Sequence, residues 1–176
     1  MQRWIVLVGA MGAGKSAVGR VVAERLRRPF LDADEEIERA AAMPVAEIFA
    51  RDGETFFRAR EAEVIARLLK GRAGVLATGG GAWMAAANRD AIDAAGVSVW
   101  LDASVDTLWS RLRRAKGREA RPLLATDDPR ATLAALVRER APTYALARLR
   151  VSVDGRGTVA DVADRVLDSV RAEVSP

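Results

Sequence analysis

The stretch from Val8 to Gly19, VGAMGAGKSAVG, constrains this chain more than any other. Gly9, four residues, then Gly14-Lys15-Ser16 fits a phosphate-binding loop, a fit that requires an apolar strand before it and a helix after it. Both are expected here. RWIVLV (3–8) is a β-rich apolar run ending in glycine, and Val18, Val21, Val22 and Leu26 share one helical face beyond the loop. Glycines let successive backbone N–H groups turn inward around phosphate oxygens, with the positive end of the helix dipole behind them. In such a loop Lys15 reaches the β- and γ-phosphates and the Ser16 hydroxyl can ligate Mg²⁺. The loop specifies a nucleotide and leaves the reaction open.

Composition narrows the chemistry. The chain has 176 residues, half apolar and 30% charged, which suits one compact domain with a real core. It contains no apolar run long enough to span a membrane. WIVLVGAM is short and runs straight into the glycines with no small-residue cleavage site, so it reads as a buried strand rather than a signal peptide. There is no Cys and no His. The first absence excludes disulfides and thiolate nucleophiles and suits a cytoplasmic location, which is the expectation. The second leaves carboxylates for base work and oxygen ligands for a hard cation such as Mg²⁺. Net charge is +4, with arginines dense in RLRRAKGREAR (111–121). No aromatics interleave that run for base stacking, and a loop closing over a polyphosphate explains it, so no nucleic-acid partner is expected.

The rest of the chain alternates. PFLDAD (29–34), AGVLATGGG (73–81), GVSVWLD (96–102) and RLRVSV (148–153) read as further strands. DEEIERAAA and PVAEIFARDG read as short helices, the second with Pro44 in a first-turn position and Gly53 as its stop. ETFFRAREAEVIARLLKG (54–71) is a long helix, followed by helices at about 104–115, 127–141 and 158–172, the last with Val159, Val162, Val166 and Val170 on one stripe. Near-continuous apolar strands separated by amphipathic helices predict a single α/β domain, its parallel sheet covered on both faces. Ligands in such sheets sit at the carboxyl ends of the strands. That rim gathers Gly9–Ser16, Asp32, Asp34, Gly79–Gly81 and Asp102.

Alternation puts Asp32 and Asp34 on one side of an extended strand, beside the loop. The competing reading makes one of them a cap for a helix starting at Asp34 or Glu35. Asp102 also ends a strand and competes as the magnesium-linked carboxylate, a contest the pattern leaves open. Arg58 and Glu61 lie one helical turn apart, a pair that alone reads as a surface contact of about 0.5 kcal/mol.

Six separated segments resemble shikimate kinase, a family of small P-loop enzymes, in order and in interval. They are GAMGAGKSAVGR (9–20), LDADEEIE (31–38), IFARDGETFFRAREAEV (48–64), VLATGGGA (75–82), RPLL (121–124) and RERAPTY (138–144), which together extend over nearly the whole chain. The resemblance implies a P-loop fold of nucleotide-kinase type over 1–176, with a substrate-binding helical segment at about 33–61 and a lid at about 112–124. It implies transfer of phosphate from ATP to the 3-hydroxyl of shikimate, with Mg²⁺ as cofactor, in a protein expected to be a monomer.

Residue by residue, the resemblance makes Asp34 the aspartate that bonds the shikimate hydroxyls and is the candidate base. Arg58 and Arg140 grip the substrate carboxylate, Glu61 orients Arg58, and Gly79, Gly80 and Gly81 offer backbone N–H groups. Gly12, Ala13, Gly14, Lys15, Ser16 and Ala17 hold the nucleotide, with Arg114, Arg121 and Arg156; Lys15 and Arg121 also serve catalysis. Asp32 joins Ser16 near Mg²⁺, through water. Ala17 departs from the usual Thr, and TYALAR is shorter than the family's stretch after the Tyr, which shifts the register towards Arg156 by one residue.

Two enzymatic or signalling rivals remain. Gluconate kinase and other small-acid or sugar kinases share the loop and the architecture. A nucleotide-hydrolysing switch would need no acceptor clamp, and the Asn-Lys-x-Asp guanine-recognition motif is missing from the sequence.

Overall fold

In a computed structural model that describes residues 3–114, 122–155 and 157–174, the strands pair into one parallel sheet. They are β1 (Trp4–Val8), β2 (Phe30–Asp32), β3 (Val75–Ala77), β4 (Gly96–Asp102) and β5 (Leu149–Ser152), in the spatial order β2-β3-β1-β4-β5. Every pairing is parallel. Successive side chains of β1 point to opposite faces, and both faces are sealed. Ile5 and Leu7 enter one core with Val18, Val22, Leu108, Leu112, Val162 and Val166, while Trp4, Val6 and Val8 enter another with Ile65, Trp83 and Ile92.

The first face is covered by α1 (Lys15–Leu26), α5 (Val105–Arg114), α6 (Pro129–Tyr144) and α7 (Val159–Val174). The second is covered by α3 (Val45–Leu69) and α4 (Ala86–Ala95), with a 3-10 turn at Ala82–Met84. A third, smaller core of Ile37, Ile48, Phe57 and Val64 joins α2 (Ala33–Ala41) to α3. The chain leaves β1 for β2 and β3 on one side and reaches β4 on the other. The crevice at the carboxyl end of β1 is therefore the topological switch point where such sheets bind ligands.

Several elements differ from expectation. The strand expected over 29–34 ends at Asp32, and Asp34 lies in the first turn of α2. Asp32 is the cap, accepting from the backbone N–H groups of Asp34 and Glu35. The capping reading is therefore right for Asp32, and strand alternation does not apply to Asp34. Gly53 breaks the chain as expected, with φ 83° and ψ 171°, and the helix expected from 54 follows at once, so that the two abut as α3. Helix α4 has no counterpart in the sequence reading. The helix expected to stop at 141 continues through Pro142 to Tyr144, whose ring is buried. Val159 stands 43% exposed, outside the stripe continued by Val162 and Val166.

Candidate active site

Positive φ angles at Gly9 (139°), Gly12 (83°) and Gly14 (92°) bend the chain between β1 and α1 into a loop that L side chains do not follow. Gly14 occupies the cap position of α1 and no side chain caps that helix, so its first N–H groups and its dipole face the loop. Lys15 is 9% exposed, and its Nζ donates to the carbonyls of Gly9 (2.8 Å) and Ala10 (2.9 Å). The ammonium group is thereby fixed inside the loop. Ser16 Oγ donates to the Asp32 carboxylate. Asp102 instead pairs with Arg150 at 2.6 Å, which leaves Asp32 as the carboxylate beside Ser16.

Two cavities open on this rim. The first, of about 360 Å³, is lined by Gly12, Gly14, Lys15, Ser16, Ala17, Asp32, Thr78 and Arg111. The second, of about 290 Å³, is lined by Arg58, Glu61, Gly81 and Arg140, with Phe49 and Phe57 as apolar wall. Met11, Asp34, Gly79 and Gly80 line both. The carboxylate of Asp34 thus stands on the boundary between a phosphate loop and an arginine-flanked chamber.

Charge at that boundary is strained towards neutrality. Burial first, then the negative charges of Asp32 and Glu61, push the Asp34 carboxyl up to about 6 against the opposing charge of Lys15. Glu61 is 1% exposed, and burial raises its carboxyl too, against the pull of Arg58. Arg58 Nη1 donates to Glu61 Oε2 at 2.8 Å. Glu61 Oε1 has no hydrogen-bond partner among the described residues. The pair is no surface contact, because Glu61 is buried and fixes the Arg58 guanidinium against the chamber.

The glycine triplet explains how these groups come so close. A Cβ on Gly79 would lie 2.7 Å from Glu61 Oε1 and 2.9 Å from Asp34 Oδ1; one on Gly81 would lie 2.5 Å from Arg58 Nη2. Among the described residues, none of the three N–H groups donates to a protein acceptor. The Gly80 carbonyl accepts from Tyr144 Oη and, at 3.4 Å, from Arg140 Nη1.

Of the expected nucleotide residues, Gly12, Gly14, Lys15, Ser16 and Ala17 line the loop cavity, and Ala13 is buried in the adjoining core. Arg114 ends α5, exposed, and is not among the residues lining that cavity. Arg121, Arg156 and most of the expected lid lie outside the described residues. Two lining residues carry no mark in the sequence: Arg111, whose Nη1 donates to the Ala13 carbonyl at 3.0 Å, and Thr78, whose hydroxyl donates to the Leu7 carbonyl. Nothing distinguishes Arg111 from its arginine neighbours. Tyr144 carries no mark either, although it closes the RERAPTY segment.

A phosphate loop after the central strand, with a separate acceptor chamber beneath neighbouring helices, defines a P-loop small-molecule kinase. The shikimate kinase family model matches residues 11–171. The shikimate kinase of Ruegeria pomeroyi is 55% identical over 167 residues, 95% of this chain and 84% of the relative. The shikimate kinase of Acinetobacter baumannii, solved in complex with shikimate, superposes with a TM-score of 0.93 at 38% identity, covering 100% of this chain and 97% of the other. A gluconokinase of Sinorhizobium meliloti, at 20% identity and a TM-score of 0.64 over 97% and 93% of the two chains, shares the fold alone. The chain belongs to the shikimate kinase family.

Proposed function

We propose that this protein transfers the γ-phosphate of ATP to the 3-hydroxyl of shikimate, giving shikimate 3-phosphate and ADP. The observation that carries the reading is the placement of Asp34 where the loop cavity and the arginine-flanked chamber meet. Arg58 and Arg140 hold the substrate carboxylate, since planar guanidinium groups match its two oxygens. The N–H groups of Gly79–Gly81, without a protein acceptor among the described residues, face the ring hydroxyls. Asp34 takes the proton of the reacting hydroxyl. A carboxyl raised to about 6 is a stronger base than an ordinary aspartate, yet stays ionised at neutral pH.

Lys15 and Arg121 stabilise charge on the transferring phosphate, and Arg114 and Arg156 complete the nucleotide contacts. The Ser16 hydroxyl and the Asp32 carboxylate are the hard oxygen donors that suit Mg²⁺. Among the described residues no group of three or more His, Cys, Asp or Glu is gathered for a metal, which fits an ion that keeps water and substrate phosphates as its other ligands. When bound, Mg²⁺ supplies neutralising charge at the phosphate oxygens. The segment at about 112–124 serves as a lid that excludes water, and Pro122 and Leu123 already line the acceptor chamber.

The reading includes a monomer acting in the cytoplasm. No helix among the described residues is long and apolar enough to cross a membrane. A coupled ADP-release assay with shikimate, gluconate, nucleoside monophosphates or no acceptor tests the function. ADP release is expected with shikimate; release indifferent to it would sink the reading.

A further inference from the structure

The acceptor chamber is held from below by a group outside the substrate-facing set. Tyr144, the last residue of α6, is 2% exposed. Its ring stacks on Trp100 at 5.9 Å between centroids and an interplanar angle of 22°. The same turn is tied down by Trp83, whose Nε1 donates to the Thr143 carbonyl at 2.9 Å. From this fixed base the Tyr144 hydroxyl donates to the Gly80 carbonyl, which also accepts from Arg140 Nη1. A trans peptide is planar and its C=O and N–H point opposite ways. Anchoring the Gly80 carbonyl towards α6 therefore directs the Gly81 N–H away from α6, on a segment that lines the chamber.

We infer that Tyr144 is a positioning residue for the acceptor: its hydroxyl sets the Gly80–Gly81 peptide plane, and with it the N–H that meets the substrate. This rests on the chamber being the shikimate site. Arg140 donates to the same Gly80 carbonyl, so that one oxygen links a clamp arginine to a backbone donor. Phe in place of Tyr144 would keep the buried ring and lose the hydroxyl's contacts with the Gly80 carbonyl and with Arg140.

The test is Tyr144→Phe, measured by steady-state kinetics in both substrates and by ¹⁵N-glycine-labelled NMR. The KM for shikimate should rise about three- to tenfold, as loss of one hydrogen bond implies, with the KM for ATP and kcat changed less than about twofold. The Gly81 amide resonance should shift. A variant with lower Tm but unchanged shikimate KM would make Tyr144 merely structural and overturn the inference. If the variant does not fold, the wild-type spectrum decides: the Gly81 amide moves on adding shikimate, and an unmoved amide overturns the inference. Wild-type ADP release that ignores shikimate would instead mean that the chamber itself is misassigned.

Discussion

At Asp34, stability and reactivity pull against each other. Its folded carboxyl is raised from 3.8 to about 6, so the native state favours the protonated form more than the unfolded chain does. The associated stability is present below about pH 3.8 and is lost as pH rises through 6. Asp34→Asn removes that penalty. With metal chelated, the variant should be about 1–3 kcal/mol more stable than wild type at pH 7.5, an advantage that vanishes below pH 4 in urea titrations. Its kcat should fall about 10²- to 10⁴-fold, since the base is gone. Arg58→Ala should raise the shikimate KM roughly ten- to hundredfold without changing that for ATP. It should also lower the Tm, because Glu61 keeps a buried charge without its partner. At this scale the sequence was informative where a type is demanded by chemistry, as with Lys15, Asp34 and Arg58. It was silent on Gly79 and Gly81 as space for carboxylates and a guanidinium, because that need arises only when α2, α3 and the β3 loop converge.

Elements were legible in proportion to their periodicity. The strands and α1 carry apolar patterns that survive on the page. Helix α4 does not: only Asn88 and Ile92 of AANRDAIDAA are buried, and no side chain caps it. Its helicity comes from packing on α3 and the sheet rather than from its own stripe. Phe56 shows the opposite failure, apolar and at helical spacing yet 38% exposed. The break in α3 was visible as Gly53, but its angles were not. With φ 83° and ψ 171°, Gly53 occupies a region open essentially to glycine alone. A Cβ there would meet nothing within 4 Å, so Gly53→Ala isolates the backbone cost. It should lower unfolding free energy by about 1–3 kcal/mol. A calorimetric Tm equal to wild type would mean that the kink relaxes without penalty.

Across the whole molecule, the nucleotide and acceptor chambers rest on different supports and share only a narrow wall. Lys15→Met should abolish turnover while leaving the shikimate-induced rise in Tm intact; loss of that rise would mean that the loop also builds the acceptor chamber. Separate support has a historical consequence too. The helices around the acceptor carry their own small core of Ile37, Ile48, Phe57 and Val64, distinct from the two that seal the sheet. Exchanging the compound phosphorylated by such a scaffold calls for rewriting the α2–α3 hairpin together with Arg140 and the Gly79–Gly81 turn, while the loop between β1 and α1 that reads ATP is inherited unaltered.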